Sequence, residues 1–319
     1  MIRLARGLAA AGVLGLNRRN AQYTLALNPR HLYPLVDDKL RTKQLAARAG
    51  IAVPELYGVI EIERQVRDVH ALMAPHSEFV VKPAQGSGGD GILVISGRSG
   101  DCYRKVDGEL ISRSDLEHHV SGILSGMYSL GGQPDRALFE YRVQFAPVFE
   151  AISYRGVPDI RIIVFLGVPV MSMVRLPTRA SGGKANLHQG AIGAGIDIAT
   201  GTTVNAVRDN SQIGRHPDTG NPLTSIVIPG WESLLMLASS CHALSGLGYQ
   251  GVDIVLDRDK GPLLLELNAR PGLNIQIANG DGLLRRLRRV ERDGRDLASP
   301  AARVQFAREH FAAVVPSVI

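Results

Sequence analysis

Two apolar runs near the C-terminus constrain the fold of this chain more than any other feature. "YQGVDIVLD" covers residues 249–257, "GPLLLELN" covers residues 261–268, and the polar "RDK" lies between them. Two runs of strand length, separated by a short polar segment next to a glycine, are typical of a β-hairpin. The sequence therefore predicts two neighbouring antiparallel strands whose side chains alternate between the two faces of a sheet.

Strand-type and helix-type patterns elsewhere are mixed, without the regular alternation of a βαβ protein. A second hairpin pattern surrounds a glycine loop at 78–95, and apolar residues at helical spacing mark several amphipathic stretches. This combination predicts an α+β fold with antiparallel sheets. The expected helices are 37–50, 114–130, 231–248 and 280–313, and the further expected strands are 137–144 and 158–177.

Composition limits the classes of partner that the chain can bind. The 319 residues suit one large domain or two ordinary ones, and an apolar content of 45% supplies a full core. A net charge of +6 and a pI near 9.5 favour an anionic partner. Aromatic residues make up only 5% of the chain, which argues against single-stranded nucleic acid because such sites stack bases on aromatic rings.

The two cysteines, Cys102 and Cys241, are isolated and show no metal-ligand spacing. This usage fits a reducing compartment, and no run of 18 apolar residues predicts a membrane span, so we expect a cytoplasmic protein.

The first 20 residues allow two interpretations. Arg3 and Arg6 before an apolar run resemble a signal peptide, whereas the spacing of Leu4, Leu8 and Val13 predicts an amphipathic helix, which we favour.

The segment "KPAQGSGGDG", residues 82–91, places a lysine at the end of a strand and four glycines after it. Glycines let backbone N–H groups approach a phosphate, and a lysine supplies positive charge. The loop is neither a Walker motif nor a Rossmann turn, because the lysine precedes the glycines and the chain returns to a strand. The alternative is a hairpin tip without a ligand.

The second strand of the C-terminal hairpin ends on Glu266 and Asn268, which share one face because they are two residues apart. Asp253 on the partner strand can reach the same patch. Two carboxylates and an amide oxygen suit Mg²⁺. The alternative is a solvated acidic face, but the apolar context and the neighbouring Arg270 weaken it, since carboxylates are costly in apolar strands.

Two further polar clusters lie between these motifs. "PDIRIIVF" places Asp159 and Arg161 on one strand face, and "VRLPTRASGGKANLHQG" is a cationic, glycine-rich loop with the polar residues Arg175, Lys184 and Asn186. The loop is a candidate substrate loop. His188, also in this segment, is interpreted as a hydrogen-bonding residue rather than a base or metal ligand.

The order of these motifs resembles the ATP-grasp superfamily. It runs from "DDKLRTKQLA" through "VVKP" and the glycine loop to "FEYRV", "DIR", "KANLHQGA" and "ELNARPG". The chain is similar to the ribosomal-protein glutamate ligase branch. More specifically, "LGLNRRNAQY" and "NLHQGAIGAGIDIATG" resemble the α-L-glutamate ligase-related, sugar-transfer-associated ATP-grasp proteins. The resemblance extends over residues 15–295 and rests on the combined order, not on a single motif.

The resemblance implies an ATP-grasp fold in which two sheets enclose ATP. Two lysines and the glycine loop would contact the phosphates, Glu140 to Val143 would read adenine through backbone groups, and Asp159 would hold the ribose. Lys184 and Asn186 would contact phosphate and substrate. The implied nucleotide-binding residues are Lys39, Lys82, Gly86, Ser87, Gly88, Gly89, Glu140, Tyr141, Val143, Asp159 and Lys184.

The same resemblance implies a metal site and a set of cationic catalytic residues. Two Mg²⁺ ions, or Mn²⁺ in their place, would bind at the C-terminal hairpin, and arginines would neutralise the γ-phosphate, an acyl-phosphate and a substrate carboxylate. The implied metal ligands are Asp253, Glu266 and Asn268, and the implied catalytic residues are Arg161, Arg175, Asn186 and Arg270.

The implied function is an ATP- and magnesium-dependent carboxylate–amine ligase that forms an amide through an acyl-phosphate. It would add glutamate or another amino acid to an acidic acceptor. We expect an N-terminal helical segment at 1–36, a small subdomain at 37–135, a large subdomain at 136–295 and a C-terminal tail at 296–319. Only 38 residues precede Lys39, so the acceptor site is reduced or completed by another chain, for which a homodimer is one arrangement.

Three other interpretations stay open from the sequence. A kinase-like ATP-grasp enzyme would phosphorylate its substrate and stop. A non-catalytic partner subunit would bind nucleotide without turnover, although the acidic residues argue against it. Attachment to the inner-membrane surface through the first helix and "LLRRLRRVERDGR", residues 283–295, could coexist with catalysis, because basic amphipathic helices bind anionic lipid.

Overall fold

Two antiparallel sheets form the framework of the protein in a computed structural model, which describes residues 7–8, 10–86 and 88–313. The smaller sheet has six strands in the order β1-β6-β2-β3-β4-β5. Its strands are β1 (Leu56–Ile60), β2 (Phe79–Pro83), β3 (Leu93–Ser99), β4 (Cys102–Lys105), β5 (Leu110–Ile111) and β6 (Ala137–Glu140).

The larger sheet has seven strands in the order β11-β10-β9-β8-β7-β12-β13. The C-terminal hairpin supplies its last two strands, so the strand with Asp253 lies between two neighbours. The strands are β7 (Asp159–Phe165), β8 (Val168–Leu176), β9 (Ile192–Ile196), β10 (Thr203–Arg208), β11 (Ser211–Ile213), β12 (Tyr249–Asp257) and β13 (Gly261–Asn268).

Six α-helices of five or more residues pack on these sheets in the described part of the chain, beside short helical turns and 3-10 helices of up to six residues. They are α1 (Lys39–Arg48), α2 (Arg113–Leu124), α3 (Trp231–Ser245), α4 (Ile275–Asn279), α5 (Leu283–Asp293) and α6 (Pro300–His310). Shorter helical turns are Leu16–Arg18, Leu25–Leu27, Arg30–Leu32, Pro34–Asp37, Glu63–Asp68, Val69–Leu72, Leu130–Gly132, Pro147–Ile152 and Leu187–Gln189, and a π-helix covers Arg19–Thr24.

The two faces of the small sheet have different chemistry. Phe79, Val81 and Phe139 alternate onto one face and pack in the core formed with α2. The opposite face carries Lys82 and Glu140 beside a few apolar side chains that α1 covers. Alternation along β2 and β6 therefore places charged groups on the face that meets α1.

Helix α1 begins where the sequence predicts. Asp38 is its N-cap and accepts hydrogen bonds from the N–H groups of Leu40 and Arg41 at 3.0 and 3.2 Å. An Asp N-cap satisfies helix-end N–H groups that would otherwise lack partners. Arg136, next to β6, pairs with the second Asp38 oxygen, and the Lys39 N–H donates to Ala84 O at 2.9 Å. The helix start is thereby fixed to the small sheet.

Glycines on β9 allow helix α4 to approach the large sheet closely. A Cβ atom at Gly195 would lie 2.4 Å from Ala278 O and 2.8 Å from the Asn279 Cα. Both atoms belong to the backbone of α4, so a larger side chain would displace the helix.

We therefore expect Gly195→Ala to lower the free energy of unfolding by about 1–3 kcal/mol, the range for overpacked interiors. Urea denaturation measures this change. Gly97→Ala is the matched strand control, because nothing lies within 4 Å of its added Cβ, and its stability should change little. Equal stability of the two variants would contradict the close packing of α4.

The α+β fold with antiparallel sheets is confirmed, as is the C-terminal hairpin. The segment 158–177, predicted as strand, forms a hairpin of two strands. The segment 280–313, predicted as helix, contains two helices. The predicted small subdomain ends at residue 135, whereas strand β6, which follows it, belongs to the small sheet. The subdomain boundaries stay a prediction. The predicted amphipathic first helix includes Leu4, which lies outside the described residues. No helix in the described ranges is both long and apolar enough to span a bilayer.

Candidate functional site: a cationic wall facing an acidic ladder

Strand register in the large sheet brings the predicted acidic and basic residues onto one face. Asp253 lies opposite Arg161 on one side and opposite Glu266 on the other, and Asp159 lies opposite Arg175. Directly opposite residues of antiparallel strands share a face. Asn268, two residues after Glu266, joins them. We call this row, Arg175, Asp159, Arg161, Asp253, Glu266 and Asn268, the polar ladder.

Asp253 is the most buried member of the polar ladder, with a side chain 1% exposed. Arg161 binds it with two hydrogen bonds, from Nε to Oδ1 at 2.7 Å and from Nη2 to Oδ2 at 2.5 Å. Arg175 Nη2 adds a third at 2.8 Å. Burial would raise the pKa of Asp253, but the two guanidinium groups hold it well below its usual range.

Arg175 links the two aspartates of the polar ladder, because its guanidinium also donates to both oxygens of Asp159, at 2.5 and 2.7 Å. Burial, opposed by Arg175, raises the pKa of Asp159 to about 6, and the nearby Asp253 carboxylate contributes. The predicted ribose contact through Asp159 would require Arg175 to release it, so Asp159 is not assigned that role below.

Glu266 and Asn268 are the accessible end of the polar ladder. The Glu266 side chain is 33% exposed, and the Asn268 amide nitrogen donates to Glu266 Oε1 and Asp253 Oδ2, each at 3.2 Å. Both contacts use the amide nitrogen of Asn268, so its amide oxygen takes no part in them. The pair can present hard oxygen ligands to the cleft.

The fit to Mg²⁺ is therefore uneven across the three predicted ligands. Glu266 and Asn268 provide the oxygen donors that Mg²⁺ prefers when it also keeps water and phosphate oxygens. Asp253 is already bound by two arginines and would become a ligand only after losing one of them. Among the described residues, no cluster of three His, Cys, Asp or Glu side chains could hold a metal.

Lysines of the small sheet and α1 form the opposite wall of the site. Lys82 pairs with Glu140 Oε1, and the Lys39 ammonium group donates to Gly86 O at the start of the glycine loop. Lys39 Nζ also lies 3.9 Å from Glu266 Oε2 on the large sheet. Lys39 of this cationic wall, formed by Lys39 and Lys82, therefore meets Glu266 of the polar ladder.

Lys43 lies next to this wall and was missed by the motif analysis. Its side chain is 5% exposed, and its ammonium group lies 2.8 Å from Glu140 Oε2 and donates to Pro54 O at 2.5 Å. The signal was present in "KLRTK", since residues four apart share a helix face.

The glycine loop closes over the cationic loop of the other sheet. Asn186 Nδ2 donates to Gly88 O at 2.9 Å, and Lys184 Nζ lies 3.7 Å from Asp90. Gly88 and Gly89 have φ of +68° and +84°, a left-handed conformation that favours glycine. Gly86 forms a β-bridge with residue 129, and Ser87 lies outside the described residues. The predicted loop and its predicted partners are thus brought together.

The predicted adenine hinge follows β6. The Tyr141 N–H donates to Glu55 O at 2.8 Å, and burial raises the pKa of its phenol to about 12. Val143 is buried in a small apolar cluster with Val255 and Leu263 of the large sheet. The hinge segment therefore contacts the strands of the large sheet directly after it leaves the small sheet.

Two predicted polar residues lie apart from the polar ladder's ion pairs. The Arg270 guanidinium stacks over Tyr33, 5.2 Å from its ring centroid, and the residue is exposed. His188 lines a surface cavity with Asn274, Asp209 and Leu187, and its N–H donates to the Asn186 side chain. The structure assigns His188 no contact with the cationic wall.

A model of the sugar-transfer associated ATP-grasp family matches residues 18–292. The match covers most of the chain. The chain belongs to this family. Its two sheets, glycine loop and polar ladder accordingly lie within the matched part of an ATP-grasp protein.

Solved ATP-grasp structures are similar to this ATP-grasp chain at low identity. The ATP-grasp ligase PsnB complexed with minimal precursor is 14% identical, with 89% of this chain and 63% of PsnB covered and a TM-score of 0.43. D-cycloserine synthetase DcsG is 20% identical, with 83% and 72% covered and a TM-score of 0.44. D-alanine–D-alanine ligase from Bacillus anthracis complexed with ATP is 13% identical, with 87% and 70% covered and a TM-score of 0.43.

The chain thus spans about three fifths of PsnB's length, at 63%. A search of curated proteins gave no match to this chain. The family assignment therefore rests on the family model, and the activity and substrates are matters for the proposal below.

Proposed function

We propose that this protein is an ATP- and Mg²⁺-dependent carboxylate–amine ligase that forms an amide bond through an acyl-phosphate. ATP occupies the cleft between the two sheets. The observation that carries the proposal is the meeting of the cationic wall and the polar ladder, where Lys39 Nζ approaches Glu266 at 3.9 Å. Such a cleft suits a triphosphate, because lysines face its charge on one side and oxygen ligands for a metal lie on the other.

Each group in the cleft has a role in the proposed reaction. Lys39 and Lys82 bind phosphate oxygens, and the glycine loop covers them and excludes water that would hydrolyse the acyl-phosphate. Glu266 and Asn268 hold Mg²⁺, which neutralises phosphate charge when bound. A substrate carboxylate attacks the γ-phosphorus and ADP leaves, and then an amine displaces phosphate to form the amide. The protein contributes positioning and charge, not a covalent nucleophile.

The cationic groups around the cleft favour acidic substrates. Lys184 and Asn186 lie beside the closed glycine loop, and Arg270 is exposed near the end of β13. These groups could bind a carboxylate on the amino acid or on the acceptor. Glutamate is the proposed amino acid and an acidic molecule the proposed acceptor. A homodimer, measurable by light scattering, is the proposed oligomeric state.

The decisive experiment measures phosphate release from ATP across amino acids and acidic acceptors, with mass spectrometry of the products. An amide product, with ADP and phosphate, supports the ligase. A phosphorylated product without an amide would identify a kinase-like enzyme instead. Nucleotide binding without turnover under every substrate pair would favour a regulatory subunit.

Lys82→Ala tests the nucleotide site in particular. Because Lys82 supplies charge where the phosphates would lie, the variant should bind ATP about 10-fold to 100-fold more weakly, the size of one hydrogen bond to a charged group. Isothermal titration calorimetry measures the affinity. Lys105→Ala is the control, since Lys105 pairs with the surface residue Glu109 on the same sheet. Normal ATP affinity in folded Lys82→Ala would count against this role of the lysine.

Attachment to an anionic membrane surface is part of the proposal for localisation, beside a cytoplasmic location. Leu16 and Leu25 are 57% and 61% exposed, and Arg18 and Arg288 are exposed near Tyr23. The apolar face of α5 is buried in the core, so its contact with lipid would be electrostatic. Sedimentation with vesicles should show salt-sensitive binding that requires anionic lipid, and its absence would leave only the cytoplasmic location.

A further inference from the structure

Lys43, Lys82 and Glu140 form a buried triad of charges behind the proposed phosphate site. The three side chains are 5%, 6% and 4% exposed. Glu140 Oε2 faces Lys43 Nζ at 2.8 Å, and Oε1 faces Lys82 Nζ. Each carboxylate oxygen thus pairs with a different lysine.

The triad keeps its carboxylate ionised. Burial would raise the pKa of Glu140, but the two ammonium groups lower it. Burial lowers the pKa of Lys43 to about 8, which is still above neutral pH. Two ammonium groups and one carboxylate then leave one positive charge in an interior where isolated charges are costly. A bound anion is the natural partner for that charge, and Lys82 lies on the sheet face that meets the cleft.

Lys43 itself is directed away from a ligand. Besides Glu140, its ammonium group donates to Pro54 O, next to β1, and its helix is fixed by the Asp38 cap. Of these two partners of Lys43, Glu140 is among the implied nucleotide-binding residues and Pro54 is not. Its effect must therefore pass through Glu140.

We propose that Lys43 is a positioning residue that balances the Glu140 carboxylate and so leaves the Lys82 ammonium group available to the phosphates of a nucleotide. Without Lys43, Glu140 and Lys82 form a neutral one-to-one pair, and the triad loses its excess charge. The proposal rests on the proposed nucleotide site and assigns it a charge-balancing residue behind the phosphate contacts.

The test compares Lys43→Met, Glu140→Gln and the double variant Lys43→Met/Glu140→Gln. ADP and tripolyphosphate are the ligands, and affinity is measured by isothermal titration calorimetry without turnover. Lys43→Met should bind both ligands about tenfold more weakly, because one buried charge is worth roughly that factor. Glu140→Gln shows whether the effect needs the carboxylate, because Lys43→Met should weaken binding far less in the Glu140→Gln background than in the wild type. The double variant regains the wild-type excess of one positive charge and should bind within about threefold of it.

The rescue separates charge balance from a structural role, since a cavity or local unfolding at residue 43 would persist in the double variant. A folded Lys43→Met protein with wild-type affinity would overturn the proposal, and so would a double variant as weak as Lys43→Met. If Lys43→Met does not fold, the double variant alone decides: near-wild-type affinity supports the proposal and tenfold weaker binding overturns it.

Tripolyphosphate distinguishes this inference from the proposed function. Wild-type protein that binds tripolyphosphate in a Lys43-dependent way, but not ATP or ADP, would contradict the proposed function and support the charge balance. If the wild-type protein binds ATP and ADP and the three variants bind them equally well, the proposed function is supported and the charge balance is contradicted. Binding of none of these ligands would overturn both.

Discussion

Glu266→Gln is expected to reduce Mg²⁺-dependent ATP turnover by at least about 100-fold, which corresponds to roughly 2.7 kcal/mol of transition-state stabilisation. Glu266 is the one carboxylate of the polar ladder that is both partly exposed and free of a close arginine pair, since Arg161 Nη2 is 4.0 Å away. It is therefore the best available anionic ligand for the metal. Glutamine keeps the size of the side chain but removes the negative charge that Mg²⁺ requires.

The measurement is steady-state phosphate release over a range of Mg²⁺ concentrations. Glu266→Gln should remain folded, with a melting temperature close to the wild type, because its side chain is partly solvated. Glu109→Gln, exposed on the small sheet, is the matched control and should leave turnover unchanged. Turnover within about threefold of the wild type in Glu266→Gln would remove it from the metal site.

Asp253→Asn is expected to lower the free energy of unfolding, and not only the activity. Its carboxylate is buried and accepts three hydrogen bonds from two arginines that are themselves 12% and 14% exposed. Removing one partner of a buried ion pair leaves uncompensated charge and costs about 3–5 kcal/mol. Asparagine would leave Arg161 without its carboxylate and Arg175 with only Asp159.

Urea denaturation of Asp253→Asn and Glu266→Gln side by side measures the difference. The two residues face each other across β12 and β13, so each variant is a control for the other. We expect a large loss for Asp253→Asn and less than about 1 kcal/mol for Glu266→Gln, the range for exposed groups. If both variants lost equally little free energy of unfolding, Arg161 and Arg175 would not depend on the Asp253 carboxylate for their stability.

The sequence was sufficient where local patterns decide structure. The C-terminal hairpin follows from two apolar runs around a turn, and the shared face of Glu266 and Asn268 follows from alternation along one strand. Helix α1 follows from its Asp38 cap. Each of these features is encoded within one continuous segment of the chain, so no knowledge of the fold was needed.

The ion pairs of the polar ladder could not be predicted in this way. Arg161 and Asp253 are 92 residues apart, and they meet only because β7 and β12 are neighbours in the sheet. Strand order depends on how the whole sheet assembles. Strand β9 was missed for a different reason: "IGAGI" carries two glycines, which lower its strand propensity, although α4 needs them to approach.

The attachment of α1 has a mechanical consequence. The Lys39 N–H donates a hydrogen bond to Ala84 O, and Lys43 forms an ion pair with the Glu140 carboxylate at the end of β6. Helix, strand and both lysines therefore form one rigid unit on the small sheet. Under the proposed function, a movement of residues 88–91 that admits a nucleotide would leave these contacts within the small sheet in place.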